Sequence, residues 1–191
     1  PTGQTLSGNM QQMSRPQLSE ALPKASLIHD QATLTSAIER VGAEIGDQLR
    51  GRSAVFLSIM QGGLVFAGQL ATAIAADLEF DYVHATRFRG TTEGGELQWM
   101  RRPAIPLTGR NVLLVDDILD EGHTLKAIRD WCIEQGAQSV LLAVLCEKRH
   151  GRTVAGLVAD FVGVQVPDRY VFGYGMDFHE QGRNLPAIYA L

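Results

Sequence analysis

Two hydrophobic rhythms alternate along the chain. Between Leu34 and Leu49 the apolar residues Leu34, Ile38, Val41, Ile45 and Leu49 recur every three or four positions, which predicts an amphipathic helix. "SAVFLSIM" is a short run rich in β-formers, closed by a turn at Gln61 to Gly63, and predicts a strand. "LVFAGQLATAIAADL" is apolar nearly all round, as a helix buried against a sheet should be. "FDYVHATRF" predicts another strand, followed by the polar, glycine-rich "RGTTEGGELQWMRRP" with room for a hairpin return. "NVLLVDDI" and "SVLLAVLCEK" are continuous aliphatic runs, the kind buried on both faces of a parallel sheet. Between them "TLKAIRDWCIEQG" predicts a helix ended by Gly136. "LVADFVGVQV" and "YVFGYGMD" predict two shorter strands. Strands alternating with helices imply an α/β fold with a mostly parallel sheet. No repeat or linker divides Leu27 to Leu191, so one domain is expected there. The first 26 residues are polar and punctuated by Pro16 and Pro23; they are expected to form a loosely packed arm.

Bulk properties narrow the classes of function. At 191 residues, 45% apolar and 20% charged, the chain suits one soluble domain with a sizeable core. A formal charge of −4 gives no electrostatic reason to expect nucleic acid. Basic residues cluster locally, at Arg87, Arg89, Arg101 and Arg102 and again at Lys148, Arg149 and Arg152. No apolar run is long enough for a bilayer, and the start lacks the basic-then-apolar order of a signal peptide. Cys132 and Cys146 lack metal-ligand spacing. They read as reduced core thiols of a cytoplasmic protein. His29, His84, His150 and His179 are scattered without such spacing too, so no metal is assigned to them.

The chemistry is concentrated in "VLLVDDILDEGHTL", Val112 to Leu125, where four acidic side chains fall within six residues and are followed by Gly122, His123 and Thr124. A solvated strand end with one capping Asp accounts for one carboxylate, not for Asp116, Asp117, Asp120 and Glu121 together. A nucleotide triphosphatase would also need G-x-x-x-x-G-K-[ST], and the chain contains no Gly-Lys pair. A phospho-receiver would carry its acidic pair on the first strand of a smaller domain. The stretch resembles the phosphoribosyl diphosphate (PRPP) signature of the type I phosphoribosyltransferases. Its parts suit that ligand: Glu121 to Thr124 would turn backbone N–H groups toward a phosphate at a helix start, and Asp116 and Asp117 would meet ribose hydroxyls.

The rest narrows the family. "CEKRH" and "ADFVGVQVPDRYVFGYGMDFHEQGRNLP" resemble the purine-binding part of the hypoxanthine-guanine phosphoribosyltransferases, and the similarity runs from Leu27 to the C-terminus. The resemblance implies the type I fold, with a small C-terminal purine-binding hood over the sheet. It implies that Lys148 donates to the purine 6-oxo group, that Tyr170 stacks on the base, and that Val171 and Asp177 meet the purine edge. It gives Asp177 a magnesium-ligand role, with Asp116 and Asp117 as further candidates. Arg183 and the turn Gln61, Gly62 and Gly63 would take the pyrophosphate. Asp116, Asp117, Asp120, Glu121, Gly122, His123 and Thr124 would bind PRPP. Arg87 to Gly95, with Arg87, Phe88, Arg89 and Gly90 at its start, occupies the place of a mobile loop. The chain departs from the family pattern at Arg87-Phe88, usually Ser-Tyr, at Gln61, often basic, and at His123.

The implied function is purine salvage, in which the phosphoribosyl group passes from PRPP to hypoxanthine or guanine with magnesium. Asp120 is the expected general base, its proton affinity raised by the neighbouring phosphate. A homodimer or homotetramer is expected, without nucleic acid or membrane. The alternative is a PRPP-binding regulator of the same fold without turnover. Such regulators usually add a nucleic-acid surface.

Overall fold

The computed structural model describes residues 15–87 and 97–191. The helix expected at Leu34 runs over Gln31–Gln48 (α2), begun by Asp30, whose carboxylate accepts from the Thr33 N–H at 2.8 Å. The strands are β2 (Ser53–Met60), β3 (Asp77–Arg87), β4 (Leu97–Arg101), β5 (Asn111–Leu119), β6 (Ser139–Lys148) and β7 (Phe161–Val166). They form one sheet in the order β4-β3-β2-β5-β6-β7, parallel except for the β3–β4 hairpin return. The expected α/β fold with a mostly parallel sheet is what the chain adopts.

Burial explains the continuous aliphatic runs. Phe56, Leu113, Val115, Ala143 and Leu145 face one way and pack beneath α2 and α3 (Leu64–Ala73). Leu57, Val112, Leu114, Leu142 and Val144 face the other way, against Leu125, Ile128 and Cys132 of α4 (His123–Glu134). Both faces are therefore apolar, and alternation disappears from the sequence. On the α4 side Trp99 of β4 meets Trp131, ring centroids 4.8 Å apart. Both cysteines are free and buried. Burial pushes the Cys132 thiol up to about 12 and raises Cys146 as well, in keeping with inert core thiols.

Several boundaries differ from the sequence reading. The apolar stretch expected to be helical to Leu78 leaves the helix after Ala73, because Asp77 and Leu78 already pair with Ser53 and Ala54 of β2. Sheet pairing overrides helical composition there. Leu157 and Ala159, expected in a strand, instead lie outside any strand and pack with Leu125, Ile128 and Cys132 of α4. β7 starts only after Asp160, whose carboxylate accepts from the Leu142 N–H at 2.7 Å. "YVFGYGMD" is strand only at Val171–Phe172 (β8). Beyond it Gly173, Tyr174 and Gly175 all have positive φ and turn the chain back.

A second, three-stranded antiparallel sheet forms the hood, in the order β1-β9-β8, from β1 (Ser26–His29), β9 (Ile188–Ala190) and β8. Part of the segment expected as a loose arm helps to build it. Leu18–Ala21 forms a short helix (α1), and Leu18, Ala21 and Leu22 pack with Phe172 and Phe178. Residues 1–14 lie outside the described residues, as does most of the expected mobile loop, including Phe88, Arg89 and Gly90; of Arg87 only the backbone, at the end of β3, is described.

Candidate active site at the carboxyl ends of the central strands

Parallel neighbours β2, β5 and β6 end on the same edge of the sheet, where open α/β sheets receive ligands. Gln61–Gly63 leave β2, Asp116–Thr124 close β5 and open α4, and Lys148 ends β6. Residues far apart in sequence thus meet through strand register: Ile118 pairs with Cys146 and Leu119 with Glu147.

The turn into α4 is built for an anion. Gly122 precedes the helix with φ +78°, and a Cβ there would lie 2.4 Å from Leu157 Cδ2 and 2.8 Å from Leu119 Cδ1. Only glycine suits this position. No side chain caps the helix. Among the described residues the N–H groups of Gly122, His123, Thr124 and Leu125 donate to no protein acceptor. Free amides at a helix start attract negative charge, and the Thr124 hydroxyl sits among them. Glu121 and His123 are half exposed and lie 3.7 Å apart.

Next to it, Asp116 and Asp117 form a carboxyl pair. The Asp117 N–H donates to Asp116 Oδ1 at 3.0 Å. Burial, then the Asp117 charge, raises the Asp116 pKa well above the usual carboxylate range. Burial raises Asp117 too, against the opposing pull of Asp116 hydrogen bonding and Arg183. Two carboxyls short of donors suit ribose hydroxyls or a cation.

The β2 turn and the hood converge on this pair. The turn contains a cis peptide bond at Met60–Gln61. A Cβ at Gly175 would come within 2.2 Å of the Gly62 carbonyl oxygen. Arg183 donates to the Gly175 carbonyl at 2.7 Å and pairs with Asp177 at 3.0 Å. Gly62, Asp117, Gly175 and Arg183 are therefore one neighbourhood, with the Arg183 guanidinium as its cation.

Beside the hood, Tyr170 is half exposed and its hydroxyl donates to the Asp177 carbonyl at 3.2 Å. Val171 is buried beside it on β8. Asp177 also accepts from the Glu180 N–H at 2.9 Å. Lys148 Nζ donates to Asp120 Oδ2 at 2.6 Å. The expected increase in Asp120 proton affinity is not what the geometry gives. Burial does raise it, but hydrogen bonds from Lys148 and His150 outweigh burial and hold the pKa below the usual value. Asp120 is thus an ionised carboxylate, with its side chain still 39% exposed and open to a ligand.

The sequence reading missed the segment after Lys148. His150 Nε2 lies 2.5 Å from Asp120 Oδ1. The Thr153 hydroxyl donates to the Asp120 carbonyl at 3.3 Å, and the Val154 N–H to the Glu121 carbonyl at 2.8 Å. Arg152 holds Asp168 through two bonds of 2.8 and 2.7 Å. The usable signal was position: His150 lies two residues beyond the end of a strand adjacent to β5.

Among the described residues no three His, Cys, Asp or Glu side chains gather to hold a metal. The expected set Asp116, Asp117 and Asp177 is not a ready-made cage. Magnesium commonly takes one or two carboxylates and completes its shell with substrate phosphates and water, and the donor-poor Asp116–Asp117 pair and Asp177 fit that partial role.

Comparison with known proteins settles the family. The phosphoribosyl transferase domain model matches residues 25–178, a span that holds every expected site residue except Arg183. A hypoxanthine-guanine phosphoribosyltransferase of Streptococcus pneumoniae is 33% identical over 172 residues, 90% of this chain and 94% of that one. The chain belongs to the hypoxanthine-guanine phosphoribosyltransferase family. A crystal structure of a Staphylococcus aureus hypoxanthine phosphoribosyltransferase superposes with TM-score 0.84 at 28% identity, covering 92% of this chain and 96% of that one. A hypoxanthine-guanine phosphoribosyltransferase from Bacillus anthracis, solved with a HEPES molecule in its active site, gives TM-score 0.82 at 29% identity, covering 87% and 98%. The type I fold expected from the PRPP signature is the fold of this family.

Proposed function

We propose that the protein transfers the 5-phosphoribosyl group of PRPP to hypoxanthine or guanine, giving the nucleotide and pyrophosphate. The observation that carries this reading is the meeting, on one sheet edge, of an anion-ready helix start with an ionised Asp120 held by Lys148. The free amides of the α4 turn and the Thr124 hydroxyl bind the 5′-phosphate. Asp116 and Asp117 accept from the ribose hydroxyls. Gln61 to Gly63 and Arg183 receive the pyrophosphate.

The base lies against Tyr170, its edge toward Val171 and Asp177, with Lys148 donating to the 6-oxo oxygen. As N9 bonds to C1′, the C1′–O bond breaks and pyrophosphate leaves with its electron pair. The purine N7 proton passes to Asp120, which the hydrogen bonds from Lys148 and His150 keep ionised. Asp177, together with Asp116 and Asp117, would hold magnesium, which would supply charge neutralisation to the departing pyrophosphate.

Lys148 also sets the base preference. A pure donor satisfies a 6-oxo group and opposes the 6-amino group of adenine. Sites built around such a bond reject the wrong partner by about 10⁴-fold. No helix among the described residues is long and apolar enough to cross a membrane, and the proposal extends to a cytoplasmic homodimer or homotetramer that binds no nucleic acid.

The test is incubation with PRPP, magnesium and each purine in turn, reading pyrophosphate release. Hypoxanthine and guanine should react and adenine should not. Efficient adenine transfer would sink the base assignment. Tight PRPP binding with no pyrophosphate from any base would favour a regulator.

A further inference from the structure

We propose that His150 is a positioning residue for Asp120, a strut that keeps the carboxylate aimed at the base site when Lys148 turns to the purine. The claim rests on the function proposed above for Asp120 and Lys148, and its geometry comes from elsewhere in the chain.

The His150 side chain is only 3% exposed, and both ring nitrogens are engaged. The Arg152 N–H donates to Nδ1 at 3.0 Å, and Nε2 lies 2.5 Å from Asp120 Oδ1. A backbone donor aimed at Nδ1 makes that nitrogen the acceptor, so the ring proton sits on Nε2 and points at Asp120. No lone pair remains for a metal or for relaying a proton. The imidazole acts as a rigid donor.

Lys148 and His150 hold different oxygens of Asp120, Oδ2 and Oδ1. The two bonds have different fates. An arriving 6-oxo group competes for Lys148 and loosens its hold on Oδ2. Nothing in the purine competes for His150, whose ring is enclosed. Without it Asp120 would be free to rotate at the moment it must meet N7.

The backbone that carries His150 is itself fastened to the turn it supports. Thr153 and Val154 bond to the carbonyls of Asp120 and Glu121, while Arg152 clasps Asp168 and lies 3.9 Å from Glu121. The charged groups around the ring are thus Asp120, Lys148, Arg152, Glu121 and Asp168. Asp168 lies two residues before Tyr170, so one segment braces the turn into α4 and ties it to the chain that carries the stacking ring.

The experiment compares His150→Phe, His150→Ala and His150→Gln in the full chain. A glutamine can offer Nε2–H to Asp120 and Oε1 to the Arg152 N–H, reproducing both bonds without an imidazole. Misaimed catalytic groups lose up to about 100-fold, so Phe and Ala should lower kcat by about 10- to 100-fold. PRPP affinity should stay within about threefold of wild type, and Gln should recover most of kcat. Wild-type kcat in His150→Phe would overturn the proposal. So would a Gln variant as slow as Phe, or PRPP affinity falling in step with kcat.

Imidazole ¹⁵N shifts of the wild-type protein supply a readout that needs no turnover. They should show His150 protonated on Nε2 with Nδ1 accepting, and the opposite tautomer refutes the strut even if the transfer reaction itself is absent.

Discussion

A Cβ added at Gly62 would lie 2.0 Å from Asp117 Oδ2. The turn after β2 and the acidic end of β5 are therefore in contact through the absence of one methyl group. Gly62→Ala must displace the carboxylate or the turn, and overpacking of this kind costs about 1–3 kcal/mol. The melting midpoint should fall by several degrees, about 2–4 °C per kcal/mol, and calorimetry should show clearly weaker PRPP binding. An alanine variant with wild-type affinity would separate the two elements functionally.

Asp116→Asn should make the protein more stable and less active. Burial beside Asp117 raises the Asp116 pKa in the folded chain above its unfolded value. An acid shifted upward is destabilising once pH exceeds its unfolded pKa of about 3.9, and the penalty grows until the folded value is passed. The neutral amide removes that penalty. At neutral pH its melting midpoint should rise above that of wild type. The gain should vanish as pH falls below the ordinary carboxylate range, where Asp116 is protonated in both states. Melting curves across pH, without magnesium, check the sign. PRPP binding should weaken in the same variant.

Asp120→Asn should lower kcat by about 10- to 1,000-fold, the range of a general-base contribution, and leave PRPP affinity within a few-fold. The amide nitrogen would also place a donor against His150 or Lys148. Equal loss of PRPP affinity would make Asp120 a ribose-phosphate ligand. Wild-type kcat would remove it from the chemistry.

Asp81 anchors the chain after the β3–β4 return. Its side chain is 6% exposed and accepts from Arg101 at 3.0 Å and from the N–H groups of Ala104 and Ile105 at 2.6 and 3.1 Å. Burial raises its proton affinity, but the N–H donors of Tyr82, Ala104 and Ile105 together with Arg101 bring the pKa below the usual value. A depressed acid stabilises fully above its unfolded pKa and loses that contribution as pH falls through the folded value. Asp81→Asn should cost about 1.5–3 kcal/mol at neutral pH. The gap to wild type should close below about pH 4. A constant gap across pH would mean that packing, not charge, holds the segment.

What was legible in the sequence was contiguous in it. Asp116 to Thr124 is one strand end and one helix start, so residue order already lays out the carboxyl pair, the glycine turn and the amides. β5 and β6 were legible because burial on both faces left unbroken aliphatic runs. Of the hood strands only β8 was, inside the run "YVFGYGMD". β1 and β9 have four and three residues, too few to show a period of two, and Ser26 pairs with Ala190 from the far end of the chain. His150 escaped for a related reason: its partner Asp120 lies thirty residues away, and only the parallel register of their strands brings them to one edge. The low Asp120 proton affinity was hidden for the same reason, since its two donors, Lys148 at the end of β6 and His150 just beyond it, are remote in sequence.

The contact between Trp99 and Trp131 has a practical side. They are the chain's only tryptophans, and their rings lie 4.8 Å apart. Intrinsic emission excited at the red edge therefore comes from a single spot, and the paired indoles should give a shared near-ultraviolet dichroism band. One ring rides on β4, which follows residues 88–96; the other rides on α4, the helix that begins after Gly122. The molecule carries its own optical gauge of how those two parts sit together, readable without a dye or a label.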